Sequence, residues 1–148
     1  MDMEHSVVTL VKDEENFILI KQWRNVVQDT VISLPGGGVE EGECLEHAAR
    51  REVREEIGYV CGNLKSLGSF YPSPWESNEC THVYFTDDIV SRHTPELEEG
   101  EEIEVYPVLV DSILEQIKEG RLTDGELCFA VFHALLNREQ LGISLQLK

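Results

Sequence analysis

Three glutamates, Glu52, Glu55 and Glu56, stand beside Arg51 in one short stretch of a 148-residue chain. Leu45, Ala49, Glu52 and Glu56 recur at i, i+4, i+7 and i+11, and a period of 3.6 lays such positions along one helix face. An apolar face therefore runs into acid. Glu55 lies one turn from Glu52 and next to Glu56, and like charges at this spacing cost roughly 0.2–0.5 kcal/mol per pair even in solvent. Such a cluster asks for a cation. A hard divalent ion fits, because Mg²⁺ takes oxygen ligands and is usually held by one or two carboxylates together with substrate phosphates. Arg51, four residues before Glu55, is the other candidate, since a guanidinium fork holds a carboxylate in a chosen orientation. Taken alone, an acidic run of this kind is more often a solvated helix face.

The elements that position these groups are legible in outline. Ser6 to Val11 and Phe17 to Trp23 are β-rich runs parted by the polar Lys12 to Asn16, which predicts a hairpin. Thr30 to Leu34 is a third strand, ended by Pro35 and by Gly36, Gly37 and Gly38. These glycines can adopt backbone conformations closed to other residues and can approach a ligand closely. A helix from about Glu43 to Ile57 follows, and Gly58 is placed to end it. Strands are expected at Leu64 to Tyr71, Thr81 to Thr86 and Glu102 to Val110. Two helices close the chain: Ile113, Leu114 and Ile117 mark the first, and Leu127, Ala130, Val131, Ala134 and Leu135 stripe the second, with Asp124 as its cap. Strands flanked by helices in this way predict an α/β class with a layered α/β/α arrangement.

The spacing around the acidic helix is more specific than its composition. Gly37, five residues, Glu43, seven residues, then Arg51-Glu52-Val53-Arg54-Glu55-Glu56-Ile57-Gly58-Tyr59 resembles the Nudix box, G-x5-E-x7-R-E-U-x-E-E-x-G-U with U aliphatic. Only Tyr59 departs, at a position that concerns packing rather than chemistry. The resemblance implies an α/β/α sandwich with a mixed sheet, and hydrolysis of a nucleoside diphosphate linked to another group. It also implies Mg²⁺ or Mn²⁺ held by Glu52, Glu55 and Glu56 with a backbone carbonyl from Gly36.

Segments outside the box look like those of the ADP-ribose pyrophosphatases and nucleotide-sugar hydrolases within that family. Gln22-Trp23-Arg24 before Leu34-Pro35-Gly36-Gly37 is similar to the segment in which an arginine, here Arg24, contacts substrate phosphate. Strand alternation sends Trp23 and Arg24 to opposite faces, so Trp23 is either a stacking surface for a base or, slightly favoured, a core residue. Pro74, sixteen residues after Gly58, resembles the proline marker of this group, and Tyr71 or Trp75 on the same loop could stack on adenine. Glu99 to Ile103 resembles a mobile loop that delivers a catalytic glutamate and a further metal ligand. Matching Ile103 makes Glu99 the base and Glu101 the ligand, with Arg51 and Glu55 as further catalytic candidates. A one-residue shift would exchange the first two roles. Members of this group carry an extra strand-rich N-terminal segment that helps build a dimer, whereas about 36 residues precede Gly37 here. The shorter start weakens the match to ADP-ribose as substrate, and a homodimer stays open. Dinucleoside polyphosphates, nucleoside triphosphates and a non-catalytic nucleotide-binding role are the alternatives.

Composition bounds these expectations. The length suits one domain, residues 1–148, able to bury roughly two-thirds of its unfolded surface. With 29 acidic against 12 basic side chains the net charge is −17, and no basic stripe offers a footprint for duplex nucleic acid. A nucleotide remains an acceptable ligand because a bound metal inverts the local field. The start lacks the pattern of a signal peptide and no apolar run approaches a membrane span, so a cytoplasmic protein is expected. Cys44, Cys61, Cys80 and Cys128 form no CxxC pair and are expected to be reduced. His47, His82 and His133 are read as ordinary residues rather than ligands.

Overall fold

The computed structural model describes residues 3–147. Strands β1 (His5–Asp13) and β2 (Asn16–Arg24) form the expected hairpin, with Val11 opposite Ile18 and Asp13 opposite Asn16. Strands β3 (Asp29–Ser33) and β4 (Gly36–Gly38) follow, then helix α1 (Leu45–Ile57). The chain continues through β5 (Tyr59–Cys61), β6 (Lys65–Phe70), β7 (Cys80–Thr86), β8 (Ile89–Arg92) and β9 (Ile103–Leu109), and ends in α2 (Ile113–Lys118), α3 (Gly125–Leu136) and α4 (Arg138–Leu141). Seven strands make one mixed sheet, β1 and β7 running parallel and the other pairs antiparallel, while β5 and β8 form a separate ribbon.

Val7 to Val11 and Phe17 to Ile20 are buried without a break, as strands covered on both faces should be. Alternation divides them. Val11, Ile18 and Ile20 pack with Val53 and Ile57 of α1. Leu10, Phe17 and Leu19 pack on the other face with Leu127, Ala130, Val131 and Ala134 of α3. The layered α/β/α expectation holds, and Asp124 caps α3 by accepting a hydrogen bond from the Leu127 amide at 2.9 Å.

Strands β1 and β2 stay paired only near their turn. Beyond it, β1 takes β4 as partner at Ser6, Val7 and Val8, while β2 takes β3 at Ile20 through Arg24. The sheet thus splits into a wedge. Gly36 to Gly38, expected only to end the third strand, form a strand of their own that lines one side of it, and none of the three has a positive φ. Glycine is needed there for space: a Cβ on Gly36 would run into the Val7 carbonyl oxygen.

Helix α1 begins at Leu45, two residues later than expected, because the Glu43 amide closes a turn onto the Glu40 carbonyl at 3.0 Å. Gly58 ends it with φ 79°, its amide donating to Arg54 O at 3.1 Å. The close pass of the His93 carbonyl also excludes any side chain at Gly58. Tyr59 then donates its hydroxyl to Asp13 Oδ2 at 2.8 Å, and Arg92 binds the same carboxylate through Nε at 2.8 Å and Nη2 at 2.5 Å. The tyrosine fastens the ribbon after α1 to the β1–β2 turn.

Tyr59→Phe is therefore expected to cost about 1 kcal/mol in urea unfolding with catalytic constants unchanged. Arg92 holds the Asp13 carboxyl below its ordinary value of 3.8, so the stability it contributes is complete above that pH and fades as pH falls further. The gap between native protein and Asp13→Asn should close on acidification, measured by urea unfolding at a series of pH values.

Candidate active site

Arg51 is the organising cation. Its Nε and Nη2 donate to the two oxygens of Glu43 at 2.8 and 2.9 Å, a bidentate pair that ties the helix to the turn before it. Nη2 also donates to the Gly38 carbonyl at 3.1 Å, and Nη1 to Glu52 at 2.9 Å. Glu55, the partner expected from its spacing, is more distant at 3.5 Å, and Glu40 is farther still at 3.8 Å. Arg51 holds the Glu43 carboxyl down at about 2, and its own pKa is raised in return.

Glu56 is 7 % exposed and accepts a 2.6 Å hydrogen bond from the Gly36 amide. Burial pushes its carboxyl up to about 7, the charges of Glu52 and Glu101 push the same way, and the Gly36 hydrogen bond and Arg24 oppose them. Burial likewise raises Glu52. The Glu52 carboxylate lies against Gly37, where a Cβ would come within 2.6 Å of Oε1. These are desolvated oxygen donors short of positive charge, and they suit a hard divalent cation.

The wedge in the sheet is a cavity of about 310 Å³ lined by Gly36, Gly37, Gly38, Glu56 and Arg24. Arg24 is the one arginine or lysine among the described residues that line it. Trp23 turns away, 51 % exposed, with its indole N–H on Asn25 Oδ1 at 2.7 Å. The core packing favoured for it from sequence is not found, because β2 at this end extends past the covering helices. Asp124 and Glu126, at the start of α3, also line the cavity, together with Glu4 and Glu79. Burial raises both Asp124 and Glu126, and Arg24 draws both back. No spacing in the sequence marks these four as site residues, and Asp124 reads there only as the helix cap that it also is.

The remaining candidates lie at the rim. Pro74 and Trp75 border a shallow depression shared with Glu4, and Tyr71 and Trp75 are 58 % and 78 % exposed. The segment after β8 is strapped to α1: His93 N–H donates to Gly58 O and Glu96 N–H to Glu55 O, both at 2.7 Å, and Arg54 pairs with Glu96 at 3.0 Å. Past this strap, Glu98 N–H donates to Glu101 Oε1 at 2.8 Å. The Glu101 charge reaches Glu52 and Glu56, whereas Glu99 stands exposed beside Gly100, whose φ is 87°.

A split sheet, a glycine strand and an arginine-braced set of carboxylates open on one arginine, an arrangement suited to an anionic, phosphate-bearing compound. The NUDIX domain model matches residues 3–127, and the chain belongs to the Nudix family as a Nudix pyrophosphohydrolase. It is 33 % identical over 125 residues to an ADP-ribose pyrophosphatase of Bacillus subtilis, covering 84 % of this chain and 68 % of that protein. It is 30 % identical over the same length to a methanol dehydrogenase activator of Bacillus methanolicus, again 84 % of this chain and 68 % of the other. A solved structure described as an ADP compounds hydrolase superposes with a TM-score of 0.83 at 17 % identity, over 93 % of this chain and 74 % of that one, which establishes the shared fold. No helix among the described residues is long and apolar enough to cross a membrane.

The two inner glycines should fail differently. A Cβ at Gly36 meets fixed backbone, and Gly36→Ala is expected to destabilise by about 1–3 kcal/mol. A Cβ at Gly37 meets the movable end of Glu52, so Gly37→Ala should stay folded and lose turnover. Thermal unfolding and hydrolysis rates of the two variants would separate the effects; equal losses of stability would contradict this assignment.

Proposed function

We propose that this protein hydrolyses the pyrophosphate bond of ADP-ribose or a similar nucleotide sugar, adding water to give AMP and a sugar phosphate, ribose 5-phosphate in the first case. The observation that carries the reading is the desolvated Glu52–Glu56 pair, with Glu56 lining a cavity whose cation is Arg24 and Glu52 packed against its Gly37 wall. The likeness to the Bacillus subtilis ADP-ribose pyrophosphatase supports the substrate. Glu52 and Glu56, with Glu55, Glu101 and the Gly36 carbonyl, would hold Mg²⁺ or Mn²⁺. When bound, such an ion neutralises pyrophosphate oxygens and lowers the pKa of an attacking water.

The chain's own groups do the rest. Arg51 keeps Glu52 in place while it braces Glu43. Arg24 draws a phosphate into the wedge and stabilises charge that builds on it. Glu99 accepts the proton of the attacking water once its loop closes over the cavity, with Gly100 as the hinge. Trp75 or Tyr71, fixed on the Pro74 loop beside the cavity mouth, offers a face to the adenine. Trp23 could meet the base only from outside the wedge. Four free cysteines suit a reducing cytoplasm.

The test is a panel of ADP-ribose, sugar nucleotides, dinucleoside polyphosphates and nucleoside triphosphates with Mg²⁺ or Mn²⁺. ADP-ribose-like compounds are expected to turn over fastest. Glu56→Gln should abolish most turnover while circular dichroism stays native, and full Mg²⁺-dependent activity in that variant would refute the metal assignment. Glu99→Gln should lower kcat by about 10²–10⁴-fold. Binding across the panel without any hydrolysis would instead make this a nucleotide-binding module.

A further inference from the structure

Sequence alone gave no reason to join His5, Cys80 and His82, which lie 75 residues apart along the chain at the nearest crossing, His5 to Cys80. Parallel pairing of β1 with β7 sets His5 directly opposite Cys80, and His82 is two residues along β7. Residues opposite one another in register, and residues two apart on a strand, share a face of the sheet. One ligand atom from each of the three lies within 4.8 Å of the others. His5 Nδ1 and His82 Nε2 are 3.0 Å apart, with ring centroids separated by 5.2 Å.

We propose that these three side chains form a second metal site, for Zn²⁺ or a similarly soft divalent ion, chemically distinct from the carboxylate site. Around a tetrahedral ion with Zn–N near 2.0–2.1 Å and Zn–S near 2.3 Å, two nitrogens sit roughly 3.3 Å apart and a nitrogen and sulfur roughly 3.6 Å apart. The two nitrogens at 3.0 Å need only a small spread to admit the ion, and the Cys80 sulfur, within 4.8 Å, closes in on it. The imidazole contact requires one ring nitrogen to carry the shared hydrogen and the other a bare lone pair, so the pair is not doubly protonated. Burial, with the neighbouring His5, lowers the pKa of His82, which favours the neutral ring that a metal needs. Imidazole and thiolate together select Zn²⁺ over Mg²⁺, which prefers oxygen.

Binding replaces the shared hydrogen: the ring that carried it shifts that proton to its other nitrogen, and the Cys80 thiol releases one proton to solvent as the metal–sulfur bond forms. Water or an external ligand takes the fourth position. Because His5 also lines the wedge cavity, the ion would pin the starts of β1 and β7 together at the cavity rim and stabilise the folded chain.

Co²⁺ is the probe, titrated into the full protein with excess Mg²⁺ present. One equivalent should produce a thiolate-to-cobalt charge-transfer band and the strong visible bands of a four-coordinate site, both displaced by Zn²⁺, and Zn²⁺ should raise Tm. Cys80→Ser should lose the charge-transfer band and His82→Gln should weaken binding at least about tenfold, in line with loss of one ligand, whereas exposed Cys44→Ser should keep both. Absence of the band in the native protein overturns the proposal. So does a band that survives in Cys80→Ser, and if that variant fails to fold, undiminished affinity in His82→Gln decides the same way.

Discussion

The site depends on how closely the backbone of β4 lies against its neighbours. Gly36 sits where any Cβ would strike the Val7 carbonyl, and Gly37 where one would crowd the Glu52 carboxylate. That approach lets the Gly36 amide reach Glu56 at 2.6 Å, and it draws β1 away from β2 so that the sheet opens. Cavity, carboxylates and glycine strand are thus one construction. A side chain at Gly36 would force the strands apart, and one at Gly37 would displace the Glu52 carboxylate beside the wedge.

Charge follows from this geometry. Arg51 satisfies Glu43 with two short hydrogen bonds and gives Glu52 a third, and it is then largely committed. Glu56 is left buried with its Gly36 amide bond and the more distant Arg24 as the favourable influences on its charge, and its carboxyl rises to about 7. A buried carboxyl with too little positive charge costs stability in the free protein, and such strain at an active site is recovered when the cationic ligand arrives. The chain's strongly acidic balance does not oppose an anionic substrate if the cation is held first.

Much of this was legible because it is local. The periodicity of Leu45, Ala49, Glu52 and Glu56 reports a helix face directly, Gly58 marks its end, and the box spacing names the acids. The hairpin and the α3 stripe were equally plain from alternation and from the 3.6 period. What escaped depends on contacts between distant segments. β4 is three glycines with no strand propensity and exists because β1 accepts it; β5 and β8 are too short for alternation to show. Trp23 reads as a core residue by type, and only the sheet's outline reveals that its end of β2 is uncovered. Glu4, Glu79, Asp124 and Glu126 enter the cavity through the β1–β7 pairing and the docking of α3, and no spacing in the sequence carries that information. The contact of His82 with His5, 77 residues away, escapes the sequence for the same reason.

On the proposed function, the box carboxylates, and not the other acids of this highly acidic chain, hold a divalent cation at the wedge. Crystals soaked in Mn²⁺ and measured for anomalous scattering test it most directly. An anomalous peak is expected within coordination distance of Glu52 and Glu56 beside Gly36. Mn²⁺ bound only elsewhere, with Glu52 and Glu56 free of it at saturating concentration, would contradict it.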